Sequence, residues 1–318
     1  MEKCIWITWE FHRRNRGISE ALGCSLYEII NENNMIFRYL YSFVKTVVII
    51  QKEKPKILIV QNPSIFLSLL AVLIKPIYSY QLIVDAHNSG IYPCEGKYKI
   101  LSYISVYIQK KSNIVLVTNE NLAHNVRKNK GNPVVMPDCI PKIQNISKTE
   151  LDGKFCVVFI TTYNVDEPYL EVINAAKMID KKIVIYFTGN PKNKLDSIDI
   201  PYNVKICGFL REDNYWKLLR SCSIVMDLTT RKDCLVCGAY EALSLNKPLI
   251  LSNTHAIKKY FNRGVLYVDP NDHSISNAVN KAFRNIEFLR SEIIELKKEL
   301  NNDMHYRVKY LREKIEIK

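Results

Sequence analysis

The chain lacks the features that mark most easily recognised protein classes, and each absence removes a possibility. Its longest apolar stretch, residues 65–74, stops at Lys75-Pro76, well short of the roughly 20 residues that a bilayer-spanning helix requires. A core helix is expected there. The N-terminus, Met1-Glu-Lys-Cys-Ile-Trp-Ile-Thr8, passes directly into strand-like residues without a signal-peptide apolar region or cleavage site, so export by that route is not expected. The nine cysteines, an odd number scattered between Cys4 and Cys237, form no dense framework. Free thiols in a reducing, cytoplasmic setting are the expectation. Cys234 and Cys237 make a Cys-x-x-Cys, but no second pair or nearby His completes a zinc set, so a metal site is not expected. No zinc-finger, RNP or helix-turn-helix signature accompanies the lysines, which argues against a nucleic-acid partner. Neither Gly-x-Gly-x-x-Gly nor a Walker loop occurs, which disfavours a nicotinamide enzyme or a P-loop NTPase. Internal repeats and low-complexity tracts are also absent.

What the sequence does hold is positive charge and apolar runs. Forty-five Lys plus Arg against 32 Asp plus Glu give a net +13, enough to attract phosphorylated substrates or anionic lipid headgroups. At 318 residues and 47% apolar content, two domains with buried sheets are expected. The pattern along the chain is α/β. Strands are predicted at 4–8, 56–61, 81–85, 113–118 and 134–136, and helices at 37–54, 64–74, 97–111 and 120–130. An earlier helix ends at Gly23, and Ala86 to Gly96 reads as a long loop carrying His87 and Glu95. The polar run from Lys142 to Lys154 is the linker candidate. A second series follows, with strands at 155–161, 183–188, 204–207, 223–228, 249–251 and 265–268. Its helices are predicted at 168–179, at 213–222 with Asp213 as the cap, and from Gly238 to about Asn246. A helical tail begins near Ser274. The expected division is therefore a Rossmann-like domain over 1–143, a linker over 144–154, a second Rossmann-like domain over 155–290 and a tail over 291–318.

The stretch Asp227-Leu-Thr-Thr-Arg-Lys-Asp-Cys-Leu-Val-Cys-Gly-Ala-Tyr-Glu241 joins a buried strand to a helix through a polar loop. Ligands of open α/β sheets bind beyond the carboxyl ends of the strands. Thr229 and Thr230 offer hydroxyls, Arg231 a bidentate fork, and Gly238 and Ala239 the amides of a helix N-terminus, a set suited to a diphosphate. Glu241, one turn inside, is placed to accept hydrogen bonds from sugar or ribose hydroxyls; an ordinary helix-terminus charge is the alternative. After the first strand, Glu10, His12, Arg13, Arg14 and Arg16 offer anion-binding forks or, equally, a solvated charged face.

The second half resembles the donor-binding domain of GT-B glycosyltransferases, especially the large retaining group (family 4-like, "glycosyl transferases group 1") that builds cell-envelope polysaccharide. Tyr186-Phe-Thr-Gly-Asn190, Val204-Lys-Ile-Cys-Gly-Phe209, Leu228-Thr-Thr-Arg231, Gly238-Ala-Tyr-Glu-Ala242, Lys247-Pro-Leu-Ile-Leu-Ser252 and Val268-Asp-Pro270 carry it. Val60-Gln-Asn-Pro63 and Val84-Asp-Ala-His-Asn88 extend it loosely into the first half. The resemblance implies two Rossmann-like β/α/β domains facing a central cleft, with a C-terminal helix crossing back. It also implies transfer of a hexosyl group from a UDP-, GDP- or dTDP-sugar to a glycan or lipid-linked acceptor, with retention and without an obligatory metal or other cofactor. Donor contacts would come from Thr188, Gly189, Asn190, Gly208, Phe209, Thr229, Thr230, Gly238, Ala239 and Tyr240. Glu241 would take the ribose, Arg231 the leaving diphosphate with help from Lys192 or Lys232, and His87 would face the donor sugar; a core or loop-bracing histidine is the alternative. Glu10, His12, Arg13 and Arg14 would lie on the acceptor side. The family often carries Glu-x7-Glu; here the residue seven before Glu241 is Cys234, and Asp233 is the replacement carboxylate. A lipid-linked acceptor would suit a peripheral position at the inner face of an anionic membrane, held by the apolar helix over 37–50; a buried helix is the alternative. A GT-B nucleotide-sugar epimerase and a non-catalytic GT-B binding or assembly subunit are the competing functional readings.

Overall fold

The computed structural model describes residues 3–31, 34–62, 64–143 and 145–315. Pro63 of the Val60–Pro63 motif, Gln144 at the start of the expected linker, and the extreme ends of the chain lie outside the described residues. Two compact units emerge, one containing residues up to Cys139 and those from Asn302 onward, the other Ile140–Asn301. Among the described residues, the strands form two parallel sheets of six, one per unit.

In the first unit the order along the chain is β1 (Cys4–Thr8), α1 (Arg13–Leu22), β2 (Ser25–Glu28), α2 (Met35–Glu53), β3 (Ile57–Asn62) and α3 (Ile65–Tyr78). Next come β4 (Gln81–Ala86), α4 (Asn88–Ile91), α5 (Lys99–Lys111), β5 (Ile114–Val117), α6 (Glu120–Lys128) and β6 (Pro133–Val135). The sheet order is β2-β1-β3-β4-β5-β6. Strands β1, β3 and β5 are buried at every position, the signature of parallel strands covered on both faces by crossover helices. One face packs Ile5, Val60 and Val84 under α3 and α6, and the other packs Trp6, Ile59 and Leu116.

The second unit runs β7 (Phe155–Ile160), α7 (Tyr169–Ala176), β8 (Ile183–Phe187), β9 (Val204–Ile206), α8 (Glu212–Ser221), β10 (Ile224–Asp227) and α9 (Cys237–Ser244). It continues through β11 (Leu249–Ser252), α10 (His255–Tyr260), β12 (Val265–Val268) and α11 (Asp272–Lys314), which kinks at Asn285. Its sheet order is β12-β11-β10-β7-β8-β9. The end of α11 packs Leu311 and Ile315 against Trp6 and Ile18 of the first unit, so the tail returns to that unit.

Several expectations need correction. Strand β2 and helix α10 add to the expected elements; four- and six-residue segments of mixed polarity carry little periodic signal. Helix α3 does not stop at Lys75-Pro76: it continues through Pro76 to Tyr78, closed by Ser79, whose left-handed backbone donates N–H to the Lys75 carbonyl. Ala86 to Gly96 is not an open loop but holds α4 and a 3-10 turn over Pro93–Gly96. Asp213 is not the cap of α8; Arg211 is, and Asp213 lies in the first turn, where its charge opposes the helix dipole favourably. Over the expected linker, Ile146 and Leu151 pack against the second core and the Thr149 N–H donates to Ser221 Oγ at 2.7 Å.

The cysteine reading also changes. Cys4 and Cys24 are disulfide-bonded, with Cα atoms 5.0 Å apart. The parallel register Ile5↔Ser25 sets the two residues before it side by side, once Gly23 (φ 72°) has reversed the chain after α1. Spacing alone does not reveal this pair.

Candidate functional site

In the second unit the chain leaves β7 toward β8 on one side and returns through β10 on the other. Such a switch point opens a crevice beyond the carboxyl ends of the strands. Four segments converge on it: residues 161–167, 188–190, 227–231 and the start of α9.

Glu167 organises the first. Its carboxylate accepts the N–H groups of Thr162 (2.7 Å) and Asn164 (3.1 Å) and the hydroxyls of Thr161 (2.7 Å) and Thr162 (2.9 Å). Asp166 ties this loop to the next: it accepts the Thr229 hydroxyl at 2.8 Å, faces Arg231 Nη2 at 3.2 Å, and its carbonyl accepts the Thr230 N–H at 2.7 Å. Thr188 Oγ1 accepts the Thr161 N–H at 3.2 Å, and Gly189 (φ 78°) lies so close that an added Cβ would stand 2.1 Å from the Thr161 carbonyl oxygen. Gly238 is equally constrained, since a Cβ there would stand 2.5 Å from Asp227 Oδ2.

The start of α9 departs from the expected phosphate cradle. The Gly238 N–H is donated to Asp227 Oδ2 at 2.8 Å, and the Ala239 N–H to the Val236 carbonyl at 3.3 Å. Both amides are thus already used, because the orphan donors of a first helical turn take whatever acceptor lies nearest. Ala239 and Tyr240 are buried; the Tyr240 ring packs on Phe261 at 5.2 Å within the core. Burial drives the Asp227 carboxyl well above the usual carboxylate range, and the charges of Glu167, Glu241 and Asp166 add to that while the Gly238 N–H opposes it. Glu241 is nearly covered and accepts the Tyr215 hydroxyl. Seven residues, 234–240, stand between Asp233 and Glu241, so Asp233 and not Cys234 holds the first place of the Glu-x7-Glu spacing. Asp233 is half-buried.

On the open side stand Thr230, Arg231, Lys232 and Asn190, all exposed. Gly208 (φ 68°) has nothing within 4 Å of a built Cβ, and Phe209 beside it is 82% exposed, an unusual setting for a Phe ring.

The first unit has its own switch point, between β1 and β3. Arg14 is fully buried there: it grips Asp85 through Nε (3.0 Å) and Nη2 (2.7 Å), and Asp138 through Nη1 (2.6 Å). Burial, the largest single influence, would raise the Asp85 carboxyl, but Arg14 and His87 together outweigh it and hold Asp85 well below the usual range. Arg14 is therefore spent inside the unit, unlike the acceptor-side fork that was expected. Asp85 in turn faces His87 Nε2 at 3.2 Å. An ionised carboxylate only accepts, so Nε2 carries a proton toward Asp85, and in a neutral ring this leaves Nδ1 as the acceptor. The His12 ring meets that of His87 edge-on at 4.7 Å; burial, then His87, pushes the His12 pKa down to about 4. Beneath them Gln61 Oε1 accepts from Asn15 Nδ2 at 2.8 Å and from the Thr8 hydroxyl. Asn15 Oδ1, Gln61 Nε2 and Asn62 Oδ1 are buried without a partner. Glu10 is exposed in the loop after β1, and Arg13, the first residue of α1, is half-buried.

Asp85, Asp138, Asp166, Glu167 and Tyr215 escaped the sequence reading. Thr161-Thr-Tyr-Asn-Val-Asp-Glu167 held a signal, a Thr pair with a carboxylate five residues on, as in turns where side chains bond the local backbone. Among the described residues, no group of three or more His, Cys, Asp or Glu side chains is arranged to hold a metal ion.

Two parallel six-stranded sheets with flanking helices and a returning C-terminal helix define the GT-B fold, and solved structures share it across nearly the whole chain. Alr3699/HepE from Anabaena, in complex with UDP, matches with a TM-score of 0.72 at 11% identity, covering 99% of each chain. Sucrose-phosphate synthase from Thermosynechococcus elongatus matches with a TM-score of 0.73 at 12% identity, over 99% of this chain and 96% of that one. A putative UDP-N-acetylglucosamine 2-epimerase from Listeria monocytogenes gives 0.60 at 11% identity, over 92% and 91%. No protein-family model matches the chain, and no curated protein matches its sequence.

Proposed function

We propose that the protein is a glycosyltransferase that moves a hexosyl group from a nucleoside-diphosphate sugar to a glycan or lipid-linked acceptor. The observation that carries this reading is the set at the β7/β10 switch point: Glu241 braced by Tyr215 one turn inside α9, with Thr230 and Arg231 exposed on the loop that leads into that helix and Arg231 steadied by Asp166. A braced carboxylate suits ribose hydroxyls, and a guanidinium fork suits a leaving diphosphate. UDP in the HepE structure of the same fold supports a uridine donor over GDP or dTDP. Phe209, exposed beside the open Gly208, offers a face on which a base stacks. Because the Gly238 and Ala239 amides are taken, the diphosphate falls to Arg231 with Lys232 and Lys192, and charge neutralisation by side chains makes the transfer metal-independent. Asp233 provides the second carboxylate of the pair with Glu241, toward the donor sugar, with Thr188, Gly189, Asn190 and Thr229 shaping the wall. On the first unit, His87 Nδ1 accepts a hydrogen bond from a substrate hydroxyl, with Glu10, His12 and Arg13 around it. Retention at the anomeric carbon is part of the same reading, as is action at the cytoplasmic face of a membrane.

The Listeria structure favours one second reading, a nucleotide-sugar epimerase. A thermal-shift and turnover panel over UDP-, GDP-, dTDP- and CMP-sugars tests both. A donor at a hundred times its Kd stabilises by about 2.7 kcal/mol. Nucleotide release that requires an acceptor identifies a transferase, and sugar interconversion without one identifies an epimerase. If no nucleotide sugar stabilises the chain or is turned over, it is a non-catalytic subunit. Glu241→Ala is expected to weaken donor binding at least tenfold; unchanged affinity would remove Glu241 from the site.

A further inference from the structure

Helix α2 is inside out. The positions it buries are Ser42, Thr46 and Ile50, four residues apart, so two of the three carry hydroxyls. The Thr46 hydroxyl is satisfied internally: Oγ1 donates to the Ser42 carbonyl at 2.7 Å and accepts the Trp9 indole N–H at 2.9 Å. The side chains turned outward are Ile36, Phe37, Leu40, Phe43, Val44 and Val48, each between 46% and 76% exposed. A surface helix of a globular protein normally arranges its faces the other way round. The neighbouring helices widen the patch, α3 with Leu73 and Ile77 and α5 with Ile100 and Tyr103, all more than half exposed; α2 packs beside α3, and α3 beside α5. An apolar face of this extent marks an interaction surface.

Charge identifies the partner. The three helices carry three basic residues on α2, one on α3 and three on α5, against one carboxylate, Glu53, which Lys3 already pairs at 2.5 Å. Exposed apolar side chains with an excess of Lys and Arg on the same helices complement anionic headgroups over acyl chains. Among the described residues, no helix is long and apolar enough to cross a membrane, so the face lies on the bilayer and does not span it. We propose that the α2–α3–α5 face is the surface by which this protein docks on an anionic lipid bilayer. Trp9, Tyr39 and Phe66 form an aromatic chain, with ring centroids 6.0 and 5.1 Å apart, from α2 and α3 to the loop that carries Glu10 and His12. Docking therefore sets that loop at the lipid boundary, which makes the acceptor lipid-linked; this last step rests on the transferase reading, whereas docking itself does not.

The test is co-sedimentation of the full chain, with no nucleotide sugar present, on phosphatidylcholine vesicles with and without about one-third phosphatidylglycerol. Binding is expected on the anionic vesicles and is weakened by high salt. Phe37→Ser/Leu40→Ser/Val44→Ser is expected to lower it at least tenfold with an unchanged melting temperature, and Lys45→Glu/Lys52→Glu to lower it by a similar factor through charge alone. Absence of binding to anionic vesicles, or a triple variant that is folded and binds equally, overturns the proposal. So does elution of the protein as a dimer that the triple variant converts to a monomer, because a second copy would then be the occupant. A transferase that fails to sediment refutes docking only, and a docking protein inert toward every nucleotide sugar refutes transfer only.

Discussion

Arg14→Met removes the guanidinium that bridges Asp85 and Asp138 in the buried first-unit network, where the Arg14 and Asp85 side chains have no exposure at all. Deleting one partner of such a pair strands the other charge, which costs about 3–5 kcal/mol. At roughly 2–4 °C per kcal/mol for a unit of this size, the first unit's melting temperature falls by about 6–20 °C. The loss depends on pH in a defined direction. In the wild type the Asp85 carboxyl is held down by Arg14, with help from His87, against the pull of burial, so its stabilisation is complete above the unfolded carboxylate pKa of about 3.9 and is lost as pH falls below it. In the variant, burial acts unopposed by a guanidinium and raises that pKa, so stability is lost as pH rises through the new value. The gap between the two proteins is therefore widest near neutral pH and narrows toward about pH 4. Adding Asp85→Asn to the variant removes the stranded charge and restores much of the loss. Urea unfolding across that pH range is the assay. A cost below about 1 kcal/mol, or a gap that does not change with pH, refutes Arg14 as the internal counter-ion of this cluster.

Gly189→Ala forces a left-handed backbone on an L side chain and drives a Cβ to 2.1 Å from the Thr161 carbonyl oxygen; an unfolding cost of roughly 2–4 kcal/mol is expected by urea titration. Asp227→Asn keeps an acceptor for the Gly238 N–H, whereas Asp227→Ala orphans that donor and is expected to cost about 1–3 kcal/mol. Since the Asp227 pKa is raised by burial, its contribution is lost as pH rises through the folded value, and Asp227→Asn gains on the wild type in alkaline unfolding curves. His12, with its pKa lowered to about 4 by burial and by His87, stabilises fully above the ordinary histidine value and loses that contribution as pH falls toward 4. An NMR titration should place its midpoint there, and His87→Phe should raise it.

The sequence by itself determined the alternation of strands and helices, since short β-branched runs such as Ile57-Leu-Ile-Val60 just after Pro55 read as parallel strands covered on both faces, and the punctuation at Gly23 and Asn246 follows from local backbone preference. It also located the stretch from Asp227 to Glu241, because strand-to-helix loops at sheet ends are where ligands bind. What it did not determine is which groups there are still available. Gly238 and Ala239 carry the amides of a phosphate site by motif, yet Asp227 and Val236 take both protons, an outcome set by which acceptor the fold brings nearest. Arg14 read as a surface fork and proved to be a buried counter-ion, because its partners, Asp85 and Asp138, lie 71 and 124 residues away. Helix α2 shows the same division. Its 3.6-residue apolar pattern was legible, but the side it turns to the sheet was not, since it has apolar side chains on more than one face and tertiary packing alone selects Ser42, Thr46 and Ile50 for the interior.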